Sequence, residues 1–405
     1  MWVGAAVTSS MAALAAALVL RHLGTKPLWL DETVSISVVR RHLPDMLAVL
    51  PHHDGNAGLY YLLLHGWLYL GHGAAWDRGL SAICFVGTAA LAAWAGTRWR
   101  GHWLGLVCGV LVATNRFLLF YGQEARPYSL AVLLALASTV ALFWHDDRPA
   151  AGAYVTLTAA LVYADLFAVL FVVAQVVALV VIYRRRGLPV PRVLWRAWVA
   201  IAAITAPFAL PMLVWQHSQI SWLTKPPLKY LGQTLAALTN GGSGLGLTAA
   251  LVVVALLAVR RSTRRRVSTR DRLIMPTLLA AFVGPPVGLW LMAQVVPTFI
   301  DRYVICSVVG AIGLATFAVD VIRREASAAL ALASVIVLAA VGGQQIAALE
   351  AQPFKYENPP PVVAFITGQA RAADALGFAG GGLRTVIDAY VRPGTPFPLD
   401  IAVAP

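Results

Sequence analysis

The strongest constraint on this chain is the recurrence of long apolar runs. Stretches dominated by Ala, Leu and Val recur from "WVGAAVTSSMAALAAALVLR" (2–21) to "AALALASVIVLAAVGG" (328–343), and runs of about 20 such residues cross a bilayer as helices. Lipid offers the backbone no hydrogen-bond partner, so only helices or closed barrels span it, and runs of this length and composition are helical. Spans are expected near 3–22, 77–97, 102–119, 126–145, 149–165, 166–183, 195–215, 244–260, 273–295, 303–321 and 326–345. The fold class is therefore an all-α polytopic membrane protein with about eleven transmembrane helices. Composition agrees: 12% of the residues are charged, against roughly 25% in soluble domains.

The charges orient the chain. With the N-terminus in the cytoplasm, the loops on that side hold 17 of the 31 Lys/Arg and five of the 18 Asp/Glu. The net charge of +13 is thus mostly a positive-inside signal. It predicts a multi-pass protein of the plasma membrane, with an extracytoplasmic active site and C-terminus. The basic clusters "RWR" (98–100), "RRR" (184–186) and "RRSTRRR" (260–266) are short, juxtamembrane and free of interleaved aromatics. They suit anionic lipid headgroups, and nucleic acid is excluded as a partner. The first span lacks a basic leader and is expected to stay as an anchor. Cys84, Cys108 and Cys306 fall in or beside spans without metal spacing and read as small apolar packing residues.

Two domains are expected: 1–345, which includes a long first outer loop at 23–76, and a small α/β C-terminal appendage at 346–405. Within the loop, 33–50 can form an amphipathic helix on the membrane surface, with Arg40, Arg41 and Asp45 opposite an apolar face. Residues 58–71, "GLYYLLLHGWLYLG", are too short to span and read as a second interfacial helix. In the appendage, "ENPPPVVAFI" reads as a linker running into a β-like segment, "TGQARAADALGFA" as a helix and "GGGLRTVIDAYV" as strand-like.

Asp31 and Glu32 sit side by side at the start of that loop. They have two readings: helix-start carboxylates with Asp31 as N-cap, or catalytic groups at the membrane boundary. The hairpin "FLLFYGQEARPYSL" (117–130) places Gln123, Glu124 and Arg126 on the same face, either as a self-neutralising polar turn or as part of a site. Asp165, Lys225, Lys229 and "DRY" (301–303) are interfacial anchors taken singly. Taken together they describe an outward cavity with carboxylates for proton transfer and cations for a phosphate.

The pattern Trp29-x-Asp31-Glu32-x-x-Ser35, the later Asp54-x-Asn56-x-x-Leu59-Tyr60-Tyr61, the Arg in "WDRGLSA" and "YGQEARPY" (121–128) resemble the GT-C superfamily of polytopic glycosyltransferases. The nearest likeness is to the bacterial branch similar to protein O-mannosyltransferases, aminoarabinose transferases and RgtA/B/C/D-like enzymes, which includes the mannosyltransferase-like proteins of actinobacteria. It covers roughly residues 1–325. Where that branch usually shows D-x-H-P-P-L-Y-Y, this chain has Asp54-Gly55-Asn56-Ala57-Gly58-Leu59-Tyr60-Tyr61.

The resemblance implies an inverting glycosyltransferase that takes mannose, or another hexose or pentose, from a polyprenyl-monophosphate donor. The acceptor is an envelope glycan, glycolipid or protein. Asp31 is the implied base with Glu32 the close second, and Glu124 orients the acceptor or the base. Arg126 and Arg302 are the choices for the lipid phosphate, with Lys225 and Lys229 as alternatives and Arg78 as a more structural candidate. Asp54, Asn56, Tyr60 and Gln123 are expected to contact substrate. No nucleotide-binding loop is present, and "NGGSGLG" (240–246) reads as a hinge. No cofactor is expected. His52, His53 and Asp54 adjoin one another, but neighbours in sequence rarely converge on one ion; because distant GT-C relatives use a divalent cation, that possibility stays open.

Two other classes compete. A transporter is expected to show internal repeats or ionisable residues at mid-membrane, which this sequence lacks. A non-catalytic scaffold of envelope assembly would keep the spans without needing the acidic clusters.

Overall fold

Each of the eleven apolar segments contains helix in the computed structural model, which describes residues 2–51, 55–144, 149–215, 223–261, 269–369, 374–378, 381–391 and 399–400. They are not all straight spans. Among the described residues, six helices are long and apolar enough to cross a membrane: α1 (Trp2–Leu20), α5 (Ala74–Arg100), α10 (Val169–Arg185, entered through a 3-10 turn from Leu166), α11 (Arg192–Trp215), α14 (Thr269–Ala293) and α16 (Ala328–Glu350). The expected span 102–119 is two helices, α6 (His102–Ala113) and α7 (Arg116–Gly122), bent by 62°. Asn115 explains the break. Its side chain caps α7 by accepting from the Leu118 N–H at 2.9 Å, so a new helix starts inside the apolar run.

A second bent pair, α12 (Lys229–Ala237) and α13 (Gly241–Arg261), turns by 81° at the glycine-rich stretch read as a hinge. Asn240 and Gly241 carry positive φ there. Asn240 braces the turn by accepting from Arg116 N–H at 2.7 Å and donating to the Thr114 carbonyl at 3.2 Å. Counting each bent pair as one gives eight spans. The rest of the expected eleven are α8 (Tyr128–Leu142), α9 (Ala151–Ala164) and α15 (Ser307–Glu325). The first two are short, and α15 ends in charge.

Helices pack closely where side chains are small. At Gly310 of α15, a Cβ would lie 2.5 Å from the Phe282 nitrogen of α14, so the two backbones touch at this point. The end of α15 carries buried Asp320, paired with Arg100 at 2.8 Å and Arg324 at 2.9 Å, which ties α5 to α15 at the arginine-rich end of the bundle.

The first loop builds the other end. The expected helix 33–50 is two helices, α2 (Leu30–Val39) and α3 (Leu43–Val49). Pro44 sits in the first turn of α3, where its missing N–H does no harm, whereas in a helix continued from α2 its ring would clash with the carbonyl of Arg40, four residues back. Nor does α2 lie flat with a wet polar face, for Glu32, Thr33 and Ser35 are buried. A 3-10 turn over Gly55–Ala57 leads into α4 (Gly58–Leu68), as the second interfacial helix predicts.

The tail departs furthest from expectation. Helix α16 continues to Glu350, and "PPPVVAFITGQ" is helix α17 (Pro359–Gln369), since prolines fit a first helical turn. The strand-like segment is helix α18 (Gly381–Asp388), with Val386 and Ile387 buried. A two-residue parallel pair, β1 (Ala375–Leu376) with β2 (Leu399–Asp400), is all the strand among the described residues. Helix α18 packs on α2, which brings the tail over the first loop.

Candidate functional site

Adjacent residues on a helix point about 100° apart, and α2 uses this to give its two acids different surroundings. Glu32 faces inward and is 0% exposed. Its Oε1 and Oε2 accept from Arg78 Nε and Nη2, each at 2.7 Å. It also accepts from Ala125 N–H at 3.0 Å and Trp29 N–H at 3.4 Å. Arg78 spends its remaining donors on the carbonyls of Leu23, Lys26 and Pro27. Burial raises a carboxyl's pKa, but the charge and hydrogen bonds of Arg78 outweigh it and hold Glu32 below its ordinary value. This ion pair ties the first loop to α5 and to the 123–127 hairpin. The N-cap of α2 is Trp29, so Asp31 lies in the first turn and is not the cap.

Asp31 stands apart, in a partly exposed cluster with two arginines. Its side chain is 23% exposed, with Oδ2 at 3.1 Å from Arg302 Nη2 and 3.9 Å from Arg126 Nη2. Arg302 arrives from a 3-10 turn (Asp301–Val304) that leads into α15, and its guanidinium lies over the Trp29 ring at 5.5 Å. Arg126 comes from the hairpin between α7 and α8, where it donates to Ser35 Oγ at 2.8 Å and to the Tyr61 hydroxyl at 3.4 Å. Two guanidinium groups therefore share one partly exposed carboxylate.

Glu124, near enough to Arg302 to feel its charge, is 0% exposed. Lys355 Nζ sits 3.3 Å from its Oε1 and also donates to the carbonyls of Gln123 at 2.7 Å and Phe120 at 3.1 Å. The Oε2 atom is buried without a hydrogen bond. Burial pushes the Glu124 carboxyl up to about 7, while the Lys355 charge opposes the rise. A folded-state value above the unfolded one favours the native state at low pH, and the benefit is lost as pH rises through about 7. Glu124→Gln is thus expected to gain thermal stability relative to wild type between pH 5 and pH 8. Melting curves across that range check it, and parallel curves would remove this account of Glu124.

The tail residues around Lys355 hold the start of α2. Tyr356 packs on Trp29 with ring centroids 4.2 Å apart, and Glu357 accepts from the Leu30 N–H at 2.9 Å, at the start of α2. Sequence reading missed all three. The cluster "KYEN" stands out in a Pro-rich stretch, but nothing local ties it to a hairpin more than 200 residues away. Asp165 is a further buried carboxyl, 3% exposed and pushed up to about 7 by burial. One oxygen caps the 3-10 turn through the Phe167 N–H at 3.0 Å and the other has no hydrogen bond. Burial also raises Asp301.

The other expected site residues divide. Gln123 is spent on the end of α1, donating to the Val19 and Arg21 carbonyls. Tyr60 is fully buried and bonds the Ser81 hydroxyl at 2.9 Å. Asn56 lies on the 3-10 turn before α4, while Asp54, with His52 and His53, lies outside the described residues. Lys225 and Lys229 are exposed, and no ion pair joins either to Asp31, Glu32 or Glu124 among the described residues. No three His, Cys, Asp or Glu side chains converge as metal ligands among the described residues; Asp31, Glu32 and Glu124 face Arg and Lys instead.

No protein-family profile matches the sequence, and no curated protein matches it. Solved structures do. ArnT from Cupriavidus metallidurans in the apo state superimposes with a TM-score of 0.62 over 98% of this chain and 86% of that one, at 13% identity. ArnT from the same organism bound to undecaprenyl phosphate gives a TM-score of 0.56 over 97% of this chain and 89% of that one, at 11% identity. At these identities the likeness is one of fold: this chain has the polytopic membrane fold of ArnT over nearly its whole length.

Proposed function

We propose that the chain is an inverting glycosyltransferase of the GT-C type, working at the outer face of the plasma membrane on a polyprenyl-monophosphate sugar. The observation that carries this reading is the placement of one accessible carboxylate, Asp31, against two largely buried guanidinium groups, Arg126 and Arg302. Glu32 and Glu124 each have a cation of their own, in Arg78 and Lys355. Asp31 therefore faces two guanidinium groups with one carboxylate, a local excess of positive charge that suits an entering phosphate.

The chemistry follows from the exchange of partners. As the donor phosphate takes Arg302 and Arg126, Asp31 is released to act as a base. It removes the proton of an acceptor hydroxyl while that oxygen bonds to the anomeric carbon. The bond between anomeric carbon and phosphate oxygen breaks, and the negative charge that develops on the lipid phosphate is held by the two guanidinium groups. Glu124, with an unsatisfied oxygen, orients the acceptor. The ArnT fold, solved in one case with undecaprenyl phosphate bound, supports a lipid-phosphate donor. Mannose is the first sugar to test, arabinose the second, and the acceptor is an envelope glycan, glycolipid or protein.

The test is sugar transfer by the purified protein from short-chain polyprenyl-phosphate mannose and polyprenyl-phosphate arabinose to a panel of such acceptors. A folded protein that neither transfers the sugar nor binds the donor would sink the proposal. Arg302→Gln is expected to lower kcat/KM by roughly 10- to 100-fold, most of it through KM for the donor, because it removes a charged hydrogen bond to phosphate. An unchanged donor KM would take Arg302 out of the phosphate site.

A further inference from the structure

At about 100° per residue along α2, Asp31 and Ser35 point to Arg302 and Arg126, while Thr33, Ser37 and Arg40 project from the opposite side. There they line a cleft of about 860 Å3 between α2, the start of α5 and the tail helix α18. Its volume lies within the roughly 300–1,000 Å3 typical of small-molecule sites. The mechanism above makes no use of it.

Its lining has a defined chemistry. Four cations, Lys26, Arg40, Arg41 and Arg384, face two carboxylates, Asp77 and Asp388. Asp388 is taken by Arg384 at 3.3 Å, and Lys26 Nζ donates to the Leu349 carbonyl at 2.6 Å. Arg41 is exposed and makes no ion pair among the described residues. Asp77 is 3% exposed, yet its Oδ1 accepts no hydrogen bond, with Arg40 no nearer than 3.8 Å. Tyr390 adds an aromatic wall, its hydroxyl anchored on Leu28.

We infer that this cleft is a second binding site, for the headgroup of an anionic saccharide such as a hexose phosphate: Arg40 and Arg41 take the anion and Asp77 accepts from a sugar hydroxyl. An unsatisfied buried carboxylate oxygen calls for a donor. The adjacent guanidinium pair calls for an anion with several acceptor oxygens. A ligand carrying both is a phosphorylated or carboxylated sugar. The site stands independently of the transfer chemistry at Asp31, because none of Asp31, Arg126 and Arg302 lines the cleft.

The experiment places the full chain in phosphatidylcholine nanodiscs and titrates it with glucose 6-phosphate and with glucose by calorimetry. Glucose 6-phosphate binds, and glucose binds roughly tenfold more weakly or not at all. Arg41→Glu, which removes an exposed cation, and Thr385→Trp, which fills the cleft from α18, each weaken binding by roughly tenfold or more while the melting temperature stays that of wild type. Nanodiscs containing phosphatidylinositol identify the source of the headgroup. Loss of soluble-ligand binding there means that the site takes it from a lipid, and retention means that it takes it from solution. Equal affinity in wild type and both variants overturns the site, as does an absence of glucose 6-phosphate binding in phosphatidylcholine. Asp31→Asn separates the two ideas: loss of transfer with binding retained supports both, and failure of the cleft leaves transfer untouched.

Discussion

Asp31→Asn lowers sugar transfer by about 10²- to 10⁴-fold, the usual contribution of a general base, and does so without weakening the donor. Wild-type Asp31 lies 3.1 Å from the guanidinium group that is to receive the donor phosphate, so the carboxylate competes with the donor for Arg302. Asparagine keeps the size and loses the charge. Donor binding is therefore expected to hold or tighten while kcat falls, which separates a base from a residue that only shapes the pocket. The readout pairs a transfer assay with equilibrium binding of a non-transferable polyprenyl phosphate. A fall in kcat smaller than about tenfold would return Asp31 to the role of a carboxylate in the first turn of a helix. A fall accompanied by lost donor binding would make it part of the binding shell instead.

The resemblance ranks Asp31 ahead of Glu32, but the residues themselves do not say which of the two faces the arginines, for a physical reason. "DE" marks a charged start to a helix beside a membrane, but the surroundings of each acid depend on which way the helix is rotated against its neighbours. That rotation is set by residues far along the chain. Arg78 is 46 residues from Glu32, and Lys355 reaches the Gln123 carbonyl across 232. Apolar runs and charge asymmetry carry their meaning locally, so the helices could be placed from composition alone. Asn115 and Pro44, which break two expected helices, are local signals too, but they were weak against the apolar runs around them. The tail is the hardest part to read locally because Pro-rich sequence supports both an extended linker and a helix start, and packing of α17 on α18 decides between them.

The same rotation makes Glu32 the residue on which the arrangement rests, and Arg78→Met is expected to be the most damaging single change to stability. It leaves a carboxylate with 0% exposure without its cation, and breaking a buried pair in this way costs about 3–5 kcal/mol. Removing both charges together, Glu32→Met with Arg78→Met, abolishes the uncompensated charge and recovers a large part of that loss. Recovery stays partial, because the carbonyls of Leu23, Lys26 and Pro27 still lose the donors that Arg78 gives them. The pH dependence has the opposite sign to that of Glu124. With its folded value held below the ordinary one, Glu32 contributes stability that is present at neutral pH and lost only as pH falls below the usual carboxylate range. Thermal unfolding of wild type, both single variants and the double variant at two pH values therefore forms a coupled cycle. If the double variant is no better than the sum of the singles, the pair does not act as a unit, and the orientation of α2 that presents Asp31 must be fixed by its contacts with α4 and the tail.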